Sequence, residues 1–499
     1  MGSLTLPAAI LEWVEKAVGH PVLSATRIPG GGTRQGWFVD VDVDVDVDVD
    51  GHGEKDGNGG NGGKLFLRYS PQPLPARSAF HRLATEAEVM QALGSAGIAV
   101  PAVYAVHPAH EAVLLERMPG ETWFYRIRDP DEQVRVARDF IRSLATVHRL
   151  DPARLTVPGL GPVRSAREHA LERIAAIRRR ATAADGSIDP LVRLSADWLE
   201  AHVPDYDGPV VLVQGDTGPG NFLYQDGRVT AVLDWELCHF GDPMDDIAWL
   251  SLRTVQDTFT HLPDRLAEYE KLSGHPIDVD RVLYYRVFAE TTMATLTPHE
   301  GPGAPAVDDE LSAAEKSAAE KSAAEKDVGN TMLYLQLHRR LWLEALNAVM
   351  GLELTRPVLP QAADPPGWQP LYGDVLAMLR TITPRITDPL ASQWLKGIAR
   401  VVRHLRELDA CGRECDELER SDIALLLGNP PSSLQAGRDA VAAANAARQV
   451  SDEDFTRYLW NRVMRDDHVM RHASGALHLR TWPPLTDAGA RTPVATTTE

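Results

Sequence analysis

Three polar residues between positions 210 and 240 have the types and the spacing that a catalytic site needs. An apolar run, residues 210–213, leads to Asp216, and Asn221 follows five residues later. A second apolar run, residues 229–233, leads directly to Asp234. A carboxylate can orient a hydroxyl and accept its proton, and Mg²⁺ accepts carboxylate and amide oxygens beside water and phosphate oxygens. The pattern is typical of phosphoryl transfer, with Asp216 as base and Asn221 and Asp234 as metal ligands.

This interpretation depends on the combination of the three residues with the two strands, because each residue alone is common in turns. Asp and Asn beside Gly and Pro are common in turns, and GDTGPGN by itself would be read as a turn. Here the chain gives a strand, Asp216, Asn221, a hairpin with Asp226-Gly227 at its tip, and a second strand that ends at Asp234. That order favours a catalytic site. The acids just beyond it open an apolar helix, where Asp242 is either an N-cap or a brace for the catalytic loop.

A phosphate site also needs cations and close backbone approach. Gly30, Gly31 and Gly32 lie between two expected strands, where their N–H groups could approach phosphates, although a Gly-rich hairpin turn explains them as well. Arg68, on the strand LFLR, could reach the phosphates, and Glu86 on the next helix could pair with it. An isolated arginine on a strand is usually a solvated charge at the edge of a sheet. Only the catalytic pattern elsewhere in the chain favours a phosphate-binding role for Arg68.

The elements that must position these residues follow from hydrophobic periodicity. We expect a small sheet, a helix behind it, a break at Met118-Pro119-Gly120, and then a mainly helical region. The predicted strands are 22–39, 64–69, 112–116, 210–213 and 229–233, and the predicted helices are 79–96, 131–149, 165–203 and further segments to about residue 350. Apolar residues at intervals of three and four from Leu390 to Leu408 predict another amphipathic helix.

Two low-complexity segments look like insertions. The first, residues 39–63, has Val-Asp repeats and a Gly/Asn tract, and the second, residues 312–326, repeats SAAEK three times. Part of the first resembles a calcium loop, but Gly57 stands where a bidentate Glu is required, which argues against calcium. We expect an N-terminal lobe (1–118), a catalytic lobe (119–355), a Pro-rich linker (356–369), a helical domain (370–480) and a disordered tail (481–499).

Composition narrows the class of protein. The chain has 499 residues, of which 44% are hydrophobic and 24% charged, as in soluble globular proteins. A net charge of −19 argues against binding nucleic acid through a basic surface, and no apolar run is long enough for a membrane span. Charged residues near the N-terminus indicate an amphipathic helix rather than a signal peptide. Three cysteines fit a reducing, cytoplasmic location and make no disulfide framework.

The segment 210–250 resembles the aminoglycoside phosphotransferase and choline kinase-like superfamily. It is most similar to the kinase domains fused to certain acyl-CoA dehydrogenases, which carry HGDxxxxN followed by LDWExxxxGDPxxDLAW. The likeness extends over residues 20–300. It implies an α+β, bilobal protein-kinase-like fold with an additional C-terminal helical domain, and it implies ATP and Mg²⁺ as cofactors. It also places Glu116 to Met118 at an adenine-binding hinge.

Two positions depart from the family pattern. Gln214 stands where His is usual, a side chain that supports the loop more than the chemistry. Arg68 stands where most of the superfamily has Lys, and the two cations are not equivalent phosphate ligands. These departures keep a second hypothesis open, a non-catalytic kinase-like protein whose helical domain binds a partner. A protein kinase is not favoured, because no activation segment separates Asp234 from the following GDP and helix.

The sequence therefore predicts an ATP- and Mg²⁺-dependent phosphotransferase that acts on a hydroxyl of a small molecule. The similarity to the dehydrogenase-fused branch favours a hydroxy acid or hydroxyacyl thioester as acceptor, and the superfamily favours an amino sugar. We expect neither nucleic acid nor membrane as partner. The oligomeric state and the role of the helical domain stay open.

Overall fold

The computed structural model describes residues 6–28, 34–42, 63–71, 78–183, 185–296, 327–360 and 368–487. The chain divides into two compact units. The first comprises Met1–His169, Asp205–Ile277 and Pro484–Glu499, and the second comprises Ala170–Pro204 and Asp278–Pro483. Both predicted insertions lie largely outside the described residues. The lobe, linker and tail boundaries expected from the sequence stay predictions.

A five-stranded antiparallel sheet, in the order β1-β2-β3-β5-β4, opens the first unit. Its strands are β1 (Val22–Ile28), β2 (Gln35–Val41), β3 (Lys64–Tyr69), β4 (Val103–Val106) and β5 (Ala112–Glu116). Helix α1 (Ala8–Val18) packs on one face through Ile10 and Val14, and helix α2 (Leu83–Ser95) packs on the other. Because side chains alternate along a strand, Leu65 and Leu67 point toward α1 and Arg68 lies on the face of α2, which carries Glu86.

The second half of this unit holds the predicted catalytic segment. Two short antiparallel strand pairs lie among helices: β6 (Val211–Val213) with β9 (His239–Gly241), and the hairpin of β7 (Phe222–Gln225) with β8 (Arg228–Val232). These helices are α3 (Pro130–His148), α6 (Pro243–Gln256) and α7 (Leu262–Ser273). Asp226 and Gly227 have φ of 51° and 76° at the tip between β7 and β8, as a tight type I′-like hairpin requires. The predicted hairpin is thus confirmed.

An antiparallel sheet followed by a mainly helical region confirms the predicted α+β, kinase-like fold. The strand residues predicted within 22–39, on either side of the three glycines, form β1 and β2, which pair with each other. The helix predicted at 165–203 is also two, α4 (Ala166–Ala181) and α5 (Pro190–Ala201), because Asp189 and Pro190 form a new helix start. The four-residue strand β4 was not predicted, since so short a run carries little periodicity.

The second unit is helical in its described part. Besides α5 and most of α4 it contains α8 (Val279–Ala294), α9 (Val328–Met350), α10 (Gln369–Ile382), α11 (Pro389–Leu427), α12 (Leu434–Ala446) and α13 (Asp452–Ser474). Helix α11 confirms the amphipathic helix predicted from Leu390 and extends well beyond Leu408. None of the described helices has the length and apolar character needed to cross a membrane.

A half-buried carboxyl group in this second unit makes its stability depend on pH. Glu344 on α9 accepts a hydrogen bond from Arg340 Nη1 at 2.9 Å. Burial raises the pKa of Glu344 to about 7, although Arg340 favours the charged form. The folded chain therefore holds a proton between about pH 4.5 and 7 that the unfolded chain has already released.

Replacing Glu344 by Gln tests this linkage. The wild-type protein should lose about 3 kcal/mol of stability at this position between pH 4.5 and 7, and Glu344→Gln, which mimics the protonated form, should not. We expect nearly equal denaturation midpoints below about pH 4, where the glutamate is protonated in both states, and a more stable variant at pH 8. The exposed Glu353→Gln is the matched control and should follow the wild type at every pH. A variant that is less stable than wild type at pH 8 would contradict the assignment.

Candidate active site

The loop after β6 brings Asp216 and Asn221 together. Asn221 Nδ2 donates to the main-chain oxygen of Asp216 and to its Oδ2, both at 2.7 Å. Both amide hydrogens of Asn221 are used in these bonds, so its Oδ1 is left as an acceptor. The fifth residue after the aspartate thus closes the loop and presents an oxygen.

A buried carboxylate holds the backbone of this loop. Asp246, in the first turn of α6, accepts from Gln214 N at 2.8 Å, from Gly215 N at 3.0 Å and from the hydroxyl of Thr217. His148 Nε2 lies 3.0 Å from the same carboxylate, which can only accept, so this nitrogen donates. Asp242, the other acid considered from the sequence, caps α6 by accepting from Met244 N. Asp246 is therefore the brace and Asp242 the N-cap.

The side chain of Gln214 joins the two predicted catalytic segments. It is buried, and its Nε2 donates to the main-chain oxygen of Leu233 at 2.5 Å, one residue before Asp234. Asp234 has φ of 61°, a left-handed conformation that Asp tolerates better than most residues. The expectation that the residue at 214 supports the loop agrees with these contacts.

Arg68 connects the sheet to the second segment. Its Nη1 and Nη2 both lie 3.2 Å from Asp234 Oδ1, and Nη1 donates to Glu86 Oε2 at 2.9 Å. Glu86 is almost fully buried and also pairs with Arg34, which donates to the main-chain oxygen of His81 as well. Glu236 Oε2 lies 3.1 Å from Arg68 and 3.2 Å from Arg34. Two arginines and three carboxylates thus form one cluster.

The charged groups in this cluster shift one another's pKa values. Burial disfavours the charged form of Arg68, but the carboxylates of Asp234 and Glu236 outweigh it and raise its pKa. Burial, together with Asp234, raises the pKa of Glu236 to about 7. Burial also raises the pKa of Asp216, against the stabilisation that Arg253 and Asn221 give its carboxylate, and Asp234 adds to the rise. The carboxylates of Asp216 and Asp234 therefore interact electrostatically.

Two of the other predicted site residues, Glu116 and Met118, take no part in these contacts. Gly30, Gly31 and Gly32 are outside the described residues. Glu116 ends β5, where its Oε2 accepts from Ala102 N at 3.3 Å, and Met118 is half-buried beyond it. The chain then turns at Gly120, whose φ is 123°, against the main chain of Tyr224.

Three charged residues of the site were missed from the sequence. Arg34 lies two residues beyond Gly32, Glu236 lies two residues beyond Asp234, and Arg253 lies seven residues beyond Asp246. Arg253 donates from Nε to Asp216 Oδ1 at 2.7 Å and from Nη2 to Asp216 Oδ2. The spacing of Asp246 and Arg253, two helical turns, is the one signal that could have indicated a shared face toward the loop.

The donor set fits a magnesium ion that keeps several water or phosphate ligands. Among the described residues, no group of three or more His, Cys, Asp or Glu is placed to hold a metal. Mg²⁺ bound with a nucleotide typically uses only one or two protein carboxylates. The hydrogen bonds to Asn221 leave its Oδ1 available, and those to Asp234 within the described chain all reach Oδ1 and leave Oδ2 available.

This fold and this loop pair define a kinase-like phosphotransferase domain. Residues 56–281 match the family described as "Phosphotransferase enzyme family". These residues are therefore similar to that family, and the resemblance drawn from the motifs is confirmed.

Curated relatives place the domain in the branch expected from the sequence. Acyl-CoA dehydrogenase family member 11 of Rattus norvegicus is 26% identical over 219 residues, 41% of this chain and 27% of that protein. Acyl-CoA dehydrogenase family member 10 of Mus musculus is 27% identical over 199 residues, 38% of this chain and 18% of that protein. The chain thus matches about a quarter or less of the length of these relatives.

Solved structures with a similar fold include phosphotransferases. A thermostable mutant of aminoglycoside phosphotransferase APH(4)-Ia, in ternary complex with ADP and hygromycin B, is 17% identical, with a TM-score of 0.42 over 58% of this chain and 90% of that one. Macrolide 2′-phosphotransferase MphH from Brachybacterium faecium is 20% identical, with a TM-score of 0.41 over 63% and 98%. At these scores the likeness says nothing about what this chain binds.

The catalytic loop depends on glycine at position 215. Gly215 has φ of 83°, and a Cβ there would lie 2.5 Å from the main-chain oxygen of Leu237. We expect Gly215→Ala to lower the free energy of unfolding by about 3 kcal/mol, from left-handed strain plus the clash with backbone. Denaturant titration followed by tryptophan fluorescence measures the loss.

Gly274→Ala separates the two causes. Gly274 lies in the same unit in a left-handed conformation, with φ of 81° and ψ of 2°, and nothing lies within 4 Å of a Cβ built at this position. This control should lose only the contribution of left-handed strain, about 1 kcal/mol. Equal losses in the two variants would show that the approach of Leu237 is unimportant.

Proposed function

We propose that this protein is an ATP- and Mg²⁺-dependent phosphotransferase that moves the γ-phosphate to a hydroxyl of a small molecule. The observation that carries the proposal is the single charged cluster in which Arg68 of the sheet contacts Asp234, while Asp216 and Asn221 lie hydrogen-bonded beside it. A base, two metal-ligand oxygens and a phosphate-binding cation are the parts that this reaction needs.

Asp216 is the proposed base. Its carboxylate would accept a hydrogen bond from the acceptor hydroxyl and orient the oxygen toward phosphorus. As the new O–P bond forms, the bond from the γ-phosphorus to the bridging oxygen of ADP breaks, and the hydroxyl proton passes to Asp216 and then to solvent. A strictly positioned carboxylate suits this role, since phosphoryl transfer depends mainly on orientation and charge.

Asn221 Oδ1 and Asp234 Oδ2 are the proposed metal ligands. Bound there, Mg²⁺ would neutralise charge on the β- and γ-phosphate oxygens. Arg68 would add a cation at the phosphates, and Glu86 would keep its guanidinium in place through the 2.9 Å ion pair. The main chain from Glu116 to Met118 is the proposed adenine hinge, and Gly30, Gly31 and Gly32 the proposed phosphate loop.

The proposed acceptor is a hydroxy acid or a hydroxyacyl thioester. Support comes from the curated relatives, whose names identify them as acyl-CoA dehydrogenase family members. An amino sugar remains the alternative acceptor, to be decided by a panel of hydroxylated metabolites and labelled ATP. The three free cysteines fit a cytoplasmic location.

Asp216→Asn tests the role of the base. Loss of the proton acceptor should lower phosphate transfer, measured as ADP formation with the metabolite panel or with water as acceptor, by about 100-fold or more. The variant should still bind MgATP, detected as a thermal shift. Asp226→Asn, at the exposed hairpin tip, is the matched control and should retain wild-type turnover. If the wild type shows no turnover with ATP in any assay, the enzyme proposal is wrong.

Asp234→Asn tests the metal site separately. Exchanging the carboxylate for an amide should weaken Mg²⁺ binding in the presence of ATP by at least about tenfold, because the proposed pair of protein ligands loses its only negative charge. The measurement is the Mg²⁺ concentration that gives half of the ATP-dependent thermal shift. An unchanged Mg²⁺ requirement would remove Asp234 from the site.

A further inference from the structure

One face of helix α6 holds the catalytic loop at two points. Asp246 and Arg253 are seven residues apart, so they lie on the same side of the helix and about 10 Å apart along its axis. Asp246 receives the backbone N–H groups of Gln214 and Gly215. Arg253 instead donates to the side chain of Asp216, from Nε to Oδ1 and from Nη2 to Oδ2.

A glycine in the loop permits this approach. Gly218 has φ of 144°, and a Cβ at this position would lie 2.5 Å from the Cβ of Arg253 and 3.6 Å from Leu250 Cδ1. The loop thus packs directly on the stem of Arg253. Nη1 of the same guanidinium donates to Gln256 Oε1 at 3.2 Å, which fixes its plane from the other side. The guanidinium is consequently held by the helix and the loop together.

The hydrogen bonds distinguish the two oxygens of Asp216. A carboxylate offers about four acceptor sites, two on each oxygen. Oδ2 accepts from Arg253 Nη2 and from Asn221 Nδ2, and Oδ1 accepts from Arg253 Nε alone within the described residues. One acceptor site on Oδ1 is therefore left for a substrate.

We propose that Arg253 is a positioning residue that fixes the Asp216 carboxylate so that Oδ1 faces the acceptor hydroxyl. This inference rests on the proposed function of Asp216 as base. A bidentate guanidinium suits the task, because its planar fork matches both oxygens and prevents rotation about the Cβ–Cγ bond, which a single hydrogen bond from Asn221 would allow. Arg253 acts through Asp216 and need not touch the substrate.

The test compares Arg253→Met, Arg253→Lys and Arg253→Ala in the full chain. With water as acceptor and MgATP as donor, we expect Arg253→Met to lower kcat about 100-fold while the KM for MgATP stays unchanged, because a misplaced base affects the transfer step and not nucleotide binding. Arg253→Lys should retain an intermediate kcat, since one ammonium cannot fix both oxygens. Added guanidinium should restore part of the activity of Arg253→Ala.

Controls separate positioning from general damage. Arg138→Met removes a different arginine of this unit, one that pairs with Glu268 on the surface, and should leave kcat unchanged. Urea at the same concentration should not restore Arg253→Ala, and guanidinium should not restore Asp216→Asn. A wild-type kcat in Arg253→Met would overturn the proposal. A higher kcat in this variant would also overturn it, because Arg253 would then hold Asp216 in an inactive position.

Failure of the proposed function has a different signature. A wild-type protein that turns over no ATP, even with the metabolite panel, would refute the enzyme assignment. Crystal structures of wild type and Arg253→Met then still decide the positioning claim. The proposal requires the Asp216 carboxylate to rotate in the variant, and an unchanged carboxylate plane would overturn it.

Discussion

The carboxylate of Asp246 is the constraint on which the rest of the site depends. It is fully buried, and an unpaired charge in such a place would cost several kcal/mol. Two backbone N–H groups, the hydroxyl of Thr217 and the imidazole of His148 all donate to it. Because the acceptors belong to α6 and three of the donors to the loop, satisfying this one charge fixes the path of residues 214–217.

A second constraint on the site is the balance of charge around Arg68. Glu86 is held by two arginines and in turn keeps Arg68 beside Asp234. Three carboxylates against two guanidinium groups leave the cluster short of positive charge, which agrees with the raised pKa of Glu236. The cluster therefore links the sheet to the loops by charge, in addition to the apolar core in which Val113 and Leu115 pack with Val232 and Trp235.

Helix α6 holds the catalytic loop at two points. Its N-terminus is capped by Asp242, its first turn supplies Asp246, and its last turn supplies Arg253. A rigid helix fixes the distance between its first and last turns. One helix therefore positions both the backbone of the loop and the carboxylate of Asp216. Loop residues that must be placed accurately are best supported in this way.

The sequence by itself determined the reaction class and most of the fold. The order of strand, Asp216, Asn221, hairpin and Asp234 is local, and short turns with Asp226-Gly227 at the tip bring such residues together without help from distant parts of the chain. The period-two pattern of LFLR likewise placed Arg68 opposite its buried neighbours. The amphipathic pattern from Leu390 predicted α11 for the same reason.

Tertiary structure decided which charges meet. Arg34 and Glu236 are 202 residues apart, and Asp216 and Arg253 are 37 apart, and no local pattern reports such pairings. The choice between Asp242 as cap and Asp246 as brace also needed the fold, since both acids open the same helix and only the packed loop shows which one receives its N–H groups. Local periodicity specifies elements, whereas contacts between buried charges depend on how those elements pack.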